Sequence, residues 1–222
     1  NARSRATSVD VIQSLARFRV IPVIVIDQPD RAVPLARALA DGGLPVAEIT
    51  FRTGNAAEAL RLIAAECPNV LLGAGTVLDP DQAAWARAAG ASFVVAPGLN
   101  PRVVDYCTVH GIPVIPGVCT PTEIEAARER GLHVLKFFPA EAMGGQAYLK
   151  AVSAPYRDVQ FIPTGGISAA NLEGYLSMKN VLACGGSWMA PPQWIRDGEF
   201  ARIKEEAGKA SAIARTRVAI PG

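Results

Sequence analysis

One unit repeats along this sequence: a short apolar, β-branched run, a break rich in Gly, Pro, Asn or Asp, then an alanine-rich segment with helical spacing. The apolar runs fall at Val20–Ile26, Val46–Phe51, Val70–Val77, Phe93–Pro97, Pro113–Val118, His133–Phe138, Gln160–Thr164 and Val181–Ser187, which predicts eight strands. Between them, helical spacing predicts helices over Asp30–Ala40, Asn55–Ala65, Asp81–Ala89, Pro101–His110, Pro121–Arg130, Gln146–Val152 and Ala169–Ser177, with a last one over Arg202–Arg215. Strict alternation demands parallel strands joined by right-handed crossovers. Eight units of about 20 to 27 residues each can close into a (β/α)8, or TIM, barrel. An open doubly wound sheet is the alternative. An additional N-terminal helix over Val9–Arg17, capped by Thr7 or Ser8, precedes the first strand.

Local signals agree with this division. Thr120-Pro121-Thr122-Glu123 offers a capping box with proline at the first helical position, and Ser168 is placed to cap the helix after the seventh strand. Gly43, Gly90, Gly111 and Gly131 stand where helices need a left-handed terminal residue. No linker or composition break divides residues 1–222, so a single domain is expected, with residues 1–8 as a frayed terminus.

Composition removes several classes of function. Half of the 222 residues are hydrophobic, enough for a substantial core, and 22 Lys plus Arg against 20 Asp plus Glu leave a formal charge of +2 with no long run of either sign. Nucleic acid and an anionic membrane are therefore not expected as partners. The longest apolar stretches, such as Val20 to Ile26, fall far short of the roughly 20 residues that cross a bilayer. Cys67, Cys107, Cys119 and Cys184 form no CxxC pair and have no histidine at a ligand spacing. Neither a disulfide framework nor a zinc site is expected, and reduced thiols in a cytoplasmic protein fit best.

In a barrel, chemistry sits at the carboxyl ends of the strands, so polar residues there need a reason. In the second strand Val46, Glu48, Thr50 and Arg52 share one face, and Ala47, Ile49 and Phe51 the other. Turning the apolar set toward the helices sends Glu48 and Arg52 into the barrel. The sixth strand, His133-Val134-Leu135-Lys136-Phe137-Phe138, places a lysine inside an apolar run. The chain has only five lysines, and Lys150, Lys179, Lys204 and Lys209 fall on helices or helix ends. Lys136 thus reads as an end-of-strand lysine that snorkels to water, as a structural partner of Glu48, or as an amine nucleophile. An ordinary lysine is neutral in only about four molecules in ten thousand at pH 7, but burial and a neighbouring cation such as Arg52 both disfavour an ammonium.

Two glycine-rich strand ends follow, Thr164-Gly165-Gly166-Ile167-Ser168 and Gly185-Gly186-Ser187. Bare backbone N–H groups on the last two strands of a barrel, beside a helix N-terminus, make a nest for phosphate. Thr76 ends the third strand on the face of Leu72 and Ala74, where its hydroxyl either helps hold a carboxylate or serves strand propensity alone. His110 at a helix end, where a cation complements the dipole, and His133 opposite Lys136 are uninformative. Two histidines cannot supply a three-histidine zinc site, so no metal is assigned, although carboxylate-bound magnesium stays open.

Five segments together resemble a known family. Glu48-Ile49-Thr50-Phe51-Arg52, Gly73-Ala74-Gly75-Thr76-Val77, Leu135-Lys136-Phe137-Phe138-Pro139-Ala140-Glu141, Pro163-Thr164-Gly165-Gly166-Ile167 and Gly185-Gly186-Ser187-Trp188 are similar to those of 2-keto-3-deoxy-6-phosphogluconate (KDPG) and 4-hydroxy-2-oxoglutarate (KHG) aldolases, in register from about Val9 to Ile203. The resemblance implies a class I aldolase that needs no metal or cofactor, usually a homotrimer, cleaving a phosphorylated 2-keto-3-deoxy sugar acid to pyruvate and glyceraldehyde 3-phosphate. It implies Lys136 as the Schiff-base lysine, Glu48 as general acid/base, Arg52 and Thr76 on the substrate carboxylate, and Phe138 and Pro97 in the pocket wall. It further implies Gly165, Gly166, Gly186 and Ser187 on the phosphate and Thr164 on a substrate hydroxyl. Galactonate-specific relatives tend to be apolar where Thr164 stands, which points to the gluconate substrate. Phe51, Thr53-Gly54-Asn55 and Met143 depart from the common pattern.

Two other classes compete. A lysine and a phosphate nest in a barrel also suit pyridoxal phosphate, which would colour the protein. A phosphosugar-binding protein without catalysis would use Lys136 as a mere counter-ion.

Overall fold

The structure, a computed structural model, describes residues 8–216. Helix α1 (Ser8–Phe18) precedes strand β1 (Val20–Ile24), and a 3-10 turn (Pro29–Arg31) leads into α2 (Ala32–Asp41). Then follow β2 (Val46–Thr50), α3 (Ala56–Glu66), β3 (Leu71–Gly75), α4 (Pro80–Ala88), β4 (Phe93–Val95) and α5 (Pro101–Val109). The chain continues through β5 (Val114–Ile115), β6 (Gly117–Val118), α6 (Pro121–Glu129), β7 (Val134–Phe137), α7 (Gly145–Ser153), β8 (Gln160–Pro163) and α8 (Leu172–Leu176). It ends with β9 (Cys184–Gly186), α9 (Pro192–Asp197) and α10 (Phe200–Arg215).

The strands form a curled parallel sheet in two arcs, one in the order β5-β4-β3-β2-β1-β9 and one in the order β6-β7-β8. Single bridges between Phe161 and Val181 and between Thr164 and Gly185 link the second arc to the stretch around β9. The expected fifth strand is split into β5 and β6 at Pro116, which has no N–H to give to a ladder, while its carbonyl accepts from Lys136 N–H at 2.9 Å. Every residue of β1 and β2 is buried, as expected of parallel strands covered on both faces. The register, Val23 to Glu48 to Gly73 across β1, β2 and β3, fixes which side chains share the inner face.

Helix ends follow the sequence closely at some points and not at others. The Thr120/Glu123 capping box forms, and Gly43, Gly90, Gly111 and Gly131 all take positive φ. Ser168 does not cap by its side chain. Its N–H donates to Asn171 Oδ1 and its carbonyl accepts from Leu172, so α8 starts three residues later than expected and is short. Helix α9, which begins at Pro192 after Pro191, was not anticipated because six residues are too few to show a helical period. Of the terminus expected at 1–8, Ser8 is the first residue of α1, and the rest, with the cap assigned to Thr7, lies outside the described residues.

Candidate active site

Strands β2 and β7 belong to different arcs, yet they bring Glu48 and Lys136 together inside the sheet. Lys136 Nζ lies 3.4 Å from Glu48 Oε1, with the two side chains only 6% and 3% exposed. The other four lysines are exposed. A lone charge at this depth would be costly to desolvate, and the pairing offsets that cost for both groups. The Phe138 ring lies 5.3 Å from Lys136 Nζ, close enough for its π face to wall the amine.

Small residues clear space around the pair. A Cβ on Gly75 would lie 2.2 Å from Glu48 Oε1, so the carboxylate stands where a third-strand side chain would otherwise be. Gly117, which pairs with Lys136 in the ladder, faces the Pro97 carbonyl so closely that a Cβ would lie 2.0 Å from its oxygen. That places half-buried Pro97 against β6, the strand next to the lysine strand.

Arg52 differs from expectation. It stands beyond the end of β2, is exposed, and is not inside the sheet, because the strand stops at Thr50. Its Nε donates to Thr76 Oγ1 at 3.3 Å. Strand alternation alone would turn Thr76 to the outer face with Leu72 and Ala74. Instead β3 ends at Gly75, and Thr76 takes a left-handed φ of 56°, which swings its hydroxyl to Arg52. A β-branched residue in this conformation is strained, and such strain clusters at functional sites.

Thr164 is buried beside the lysine strand, its hydroxyl donating to the Ile162 carbonyl at 3.3 Å, and Ile162 pairs with Lys136. It bridges Gly185, where a Cβ would lie 2.5 Å from Thr164 Oγ1. The predicted phosphate loops therefore adjoin the lysine strand. Gly165 and Gly166 have φ of 97° and 81°, and the N–H groups of Gly166, Ile167 and Ser187 make no hydrogen bond to a described residue. Unused donors on two neighbouring loops are what an anion nest requires. Gly186 is buried, with its α-carbon backed by the Trp188 ring, and Ser187 is exposed at the rim.

Several supports escaped the sequence reading. The Glu141 N–H donates to the Gly165 carbonyl at 3.0 Å, its side chain lies against Gly166, and its carboxylate accepts from the fully buried Tyr175 hydroxyl. Burial first, then the Glu141 carboxylate, pushes the Tyr175 phenol up, so it stays a donor. The departures at Thr53 and Asn55 also have a function in the fold, donating to the Ile26 and Asp27 carbonyls at 2.6 Å each and pinning the loop behind Arg52 to the end of β1. Among the described residues no group of three or more His, Cys, Asp or Glu is placed to hold a metal ion, and no helix is long and apolar enough to cross a membrane.

The 2-dehydro-3-deoxy-phosphogluconate aldolase of Treponema pallidum is 54% identical over 195 residues, 88% of this chain and 93% of that protein. The crystal structure of KDPG aldolase from Legionella pneumophila, with pyruvate captured at low pH as a covalent carbinolamine intermediate, superposes with a TM-score of 0.88 at 40% identity, covering 92% of this chain and 98% of the other. The Zymomonas mobilis 2-keto-3-deoxy-6-phosphogluconate aldolase with 3-phosphoglycerate gives a TM-score of 0.85 at 38% identity, over 91% and 95% of the two chains. Residues 11–206 match the aldolase family described as KDPG and KHG aldolase, and the chain belongs to that family.

Proposed function

We propose that the protein is a class I aldolase that reversibly cleaves 2-keto-3-deoxy-6-phosphogluconate to pyruvate and glyceraldehyde 3-phosphate. 4-Hydroxy-2-oxoglutarate, giving pyruvate and glyoxylate, is the second substrate that the family suggests. The observation that carries this reading is a deeply buried lysine amine 3.4 Å from a buried carboxylate. The covalent pyruvate in the Legionella relative supports the same chemistry.

Neutral Lys136 attacks the C2 ketone, and loss of water from the carbinolamine leaves an iminium that can accept the electron pair of the breaking bond. Glu48, directly or through a water, takes the C4 hydroxyl proton as the C3–C4 bond breaks, releasing the aldehyde. The enamine of pyruvate stays on Lys136. Glu48 returns its proton to the enamine carbon, and hydrolysis frees pyruvate and the amine. One carboxylate serves throughout because each proton it accepts is later given back. Arg52 and Thr76, already hydrogen-bonded to each other, would hold the pyruvyl carboxylate at the rim. Phe138 and Pro97 would wall the pocket and Thr164 would meet a substrate hydroxyl. The N–H groups around Gly165, Gly166, Gly186 and Ser187 would receive the phosphate.

The same reading makes the chain one (β/α)8 barrel domain. Its support is the pair of bridges that joins β8 to the neighbourhood of β9 and the Pro116 carbonyl that carries the ladder across the other seam. A homotrimer is the assembly we infer. Exposed Leu78 and Trp85, before and on α4, offer apolar surface for a second copy. Four free cysteines suit the cytoplasm.

Borohydride in the presence of pyruvate tests the mechanism. One reduced pyruvyl group per chain should appear on Lys136, and EDTA should leave activity unchanged. An adduct on Lys150 or another exposed lysine, or no adduct while activity persists, refutes the Schiff-base assignment.

A further inference from the structure

We propose that a cavity on the opposite face of the protein binds a small organic anion. It has a volume of about 660 Å³ and lies where β3, β4 and β5 begin and α3 and α4 end, away from the strand ends that carry the glycine loops. Sites for small organic molecules commonly enclose about 300 to 1,000 Å³. Val70 and Ile112 give it apolar walls, and Asn69 and Ser92 add neutral donors that are unused among the described residues.

Its charge is one-sided. Arg61 and Arg87 are the charged residues that line it, and no Asp or Glu does. Glu58 occupies Arg61 Nε and Nη2 at 2.8 and 2.6 Å, which leaves Nη1. The guanidinium of half-buried Arg87 makes no ion pair or hydrogen bond with any described residue. A guanidinium held partly out of water with no carboxylate in reach is set to receive one from solution, or a phosphate, bidentately.

Helix carboxyl ends also gather on this face, and their partial negative charge opposes an anion. Four of those carbonyls are already used, however. Arg87 and Ala86 carbonyls accept from Gly90 and Ala91, and those of Cys107 and Thr108 accept from Ile112 and Gly111. The guanidinium, a full charge, therefore sets the sign of the cavity. An apolar wall beside a cationic head fits a ligand with a hydrocarbon body and one anionic end, as phosphate ester or carboxylate.

Calorimetric titration with phenyl phosphate and with benzoate tests this, using wild-type protein, Arg87→Met and Arg87→Lys. The expected result is a binding step, with one or both probes, that weakens at least tenfold in Arg87→Met, is partly restored in Arg87→Lys and falls with added salt. Whichever probe gives the step identifies the source of the anion. Aldol cleavage should have unchanged kcat/KM in both variants, which separates this site from the aldolase assignment. A crystal of wild-type protein soaked in the binding probe should show it against Arg87. Isotherms that superimpose for wild type and Arg87→Met, no binding by either probe, or density only at the glycine loops would overturn the proposal.

Discussion

The Glu48 carboxylate fills the space in which Gly75 would carry a side chain, since a methyl group built there would lie 2.2 Å from Oε1. Gly75→Ala should therefore push the carboxylate aside while leaving Lys136 in place. A displacement of about 1 Å at a reacting group can cost about 10²-fold in rate. We expect kcat for cleavage to fall by about that factor, with pyruvate still trapped on Lys136 by borohydride. Unchanged kcat would show that the carboxylate position is not set by this contact.

Glu48→Gln removes the carboxylate but keeps the size of the side chain. Cleavage should slow by roughly 10²–10⁴, the range for a positioned acid/base, with pyruvate still trappable on Lys136. If the pair is merely structural, the variant should instead be destabilised by its unpaired buried ammonium and activity should track the folded fraction. Methyl deuterium exchange of pyruvate decides, because near-normal exchange in a folded variant removes Glu48 from the role.

Thr76→Gly should separate strain from function. Releasing a left-handed threonine gains roughly 1–2 kcal/mol, and the added freedom of glycine in the unfolded chain takes back about 0.5–1 kcal/mol. Stability should thus hold or rise slightly, by urea unfolding, while KM rises through loss of the hydroxyl that Arg52 contacts. A clear loss of stability would mean that the hydroxyl outweighs the strain.

Tyr175→Phe frees the Glu141 carboxylate beside Gly166. A loose negative charge there should repel phosphate, so kcat/KM should fall more for the phosphorylated substrate than for its dephospho analogue. Equal losses on both would confine Tyr175 to packing.

Thiol chemistry should be selective. Burial pushes the Cys107 thiol up to about 12 and raises that of Cys184 as well, so neither forms much thiolate at pH 8. Half-buried Cys119 is raised too, by partial burial and then by Glu123, but it alone of the four is not fully buried. Iodoacetamide on the native protein should label Cys119 first, by peptide mapping.

What the sequence made legible follows from the range of the forces involved. Period and punctuation are local, so the alternation of strand and helix, the capping box and the helix-ending glycines could be read directly. Lys136 stood out because a charge inside an apolar strand has few explanations. Arg52 and Thr76 are joined by a hydrogen bond, but strand alternation does not explain why they meet. Face alternation holds only within a strand, and both residues lie past a strand end, where one positive φ sets the geometry. Glu141 and Tyr175 are 34 residues apart, and nothing in either neighbourhood announces the other. Nor does Pro116, read alone, announce a strand cut in two.

That cut has a consequence for the Glu48–Lys136 pair. Glu48 stands on the six-stranded arc and Lys136 on the three-stranded one, so no single ladder of hydrogen bonds fixes the gap between carboxylate and amine. The gap is an assembly tolerance, set where the arcs are joined, at Pro116 on one side and at the Phe161/Val181 and Thr164/Gly185 bridges on the other. Substitutions along those two joints, without touching substrate, will be felt first as a change in proton transfer and only afterwards as a change in binding.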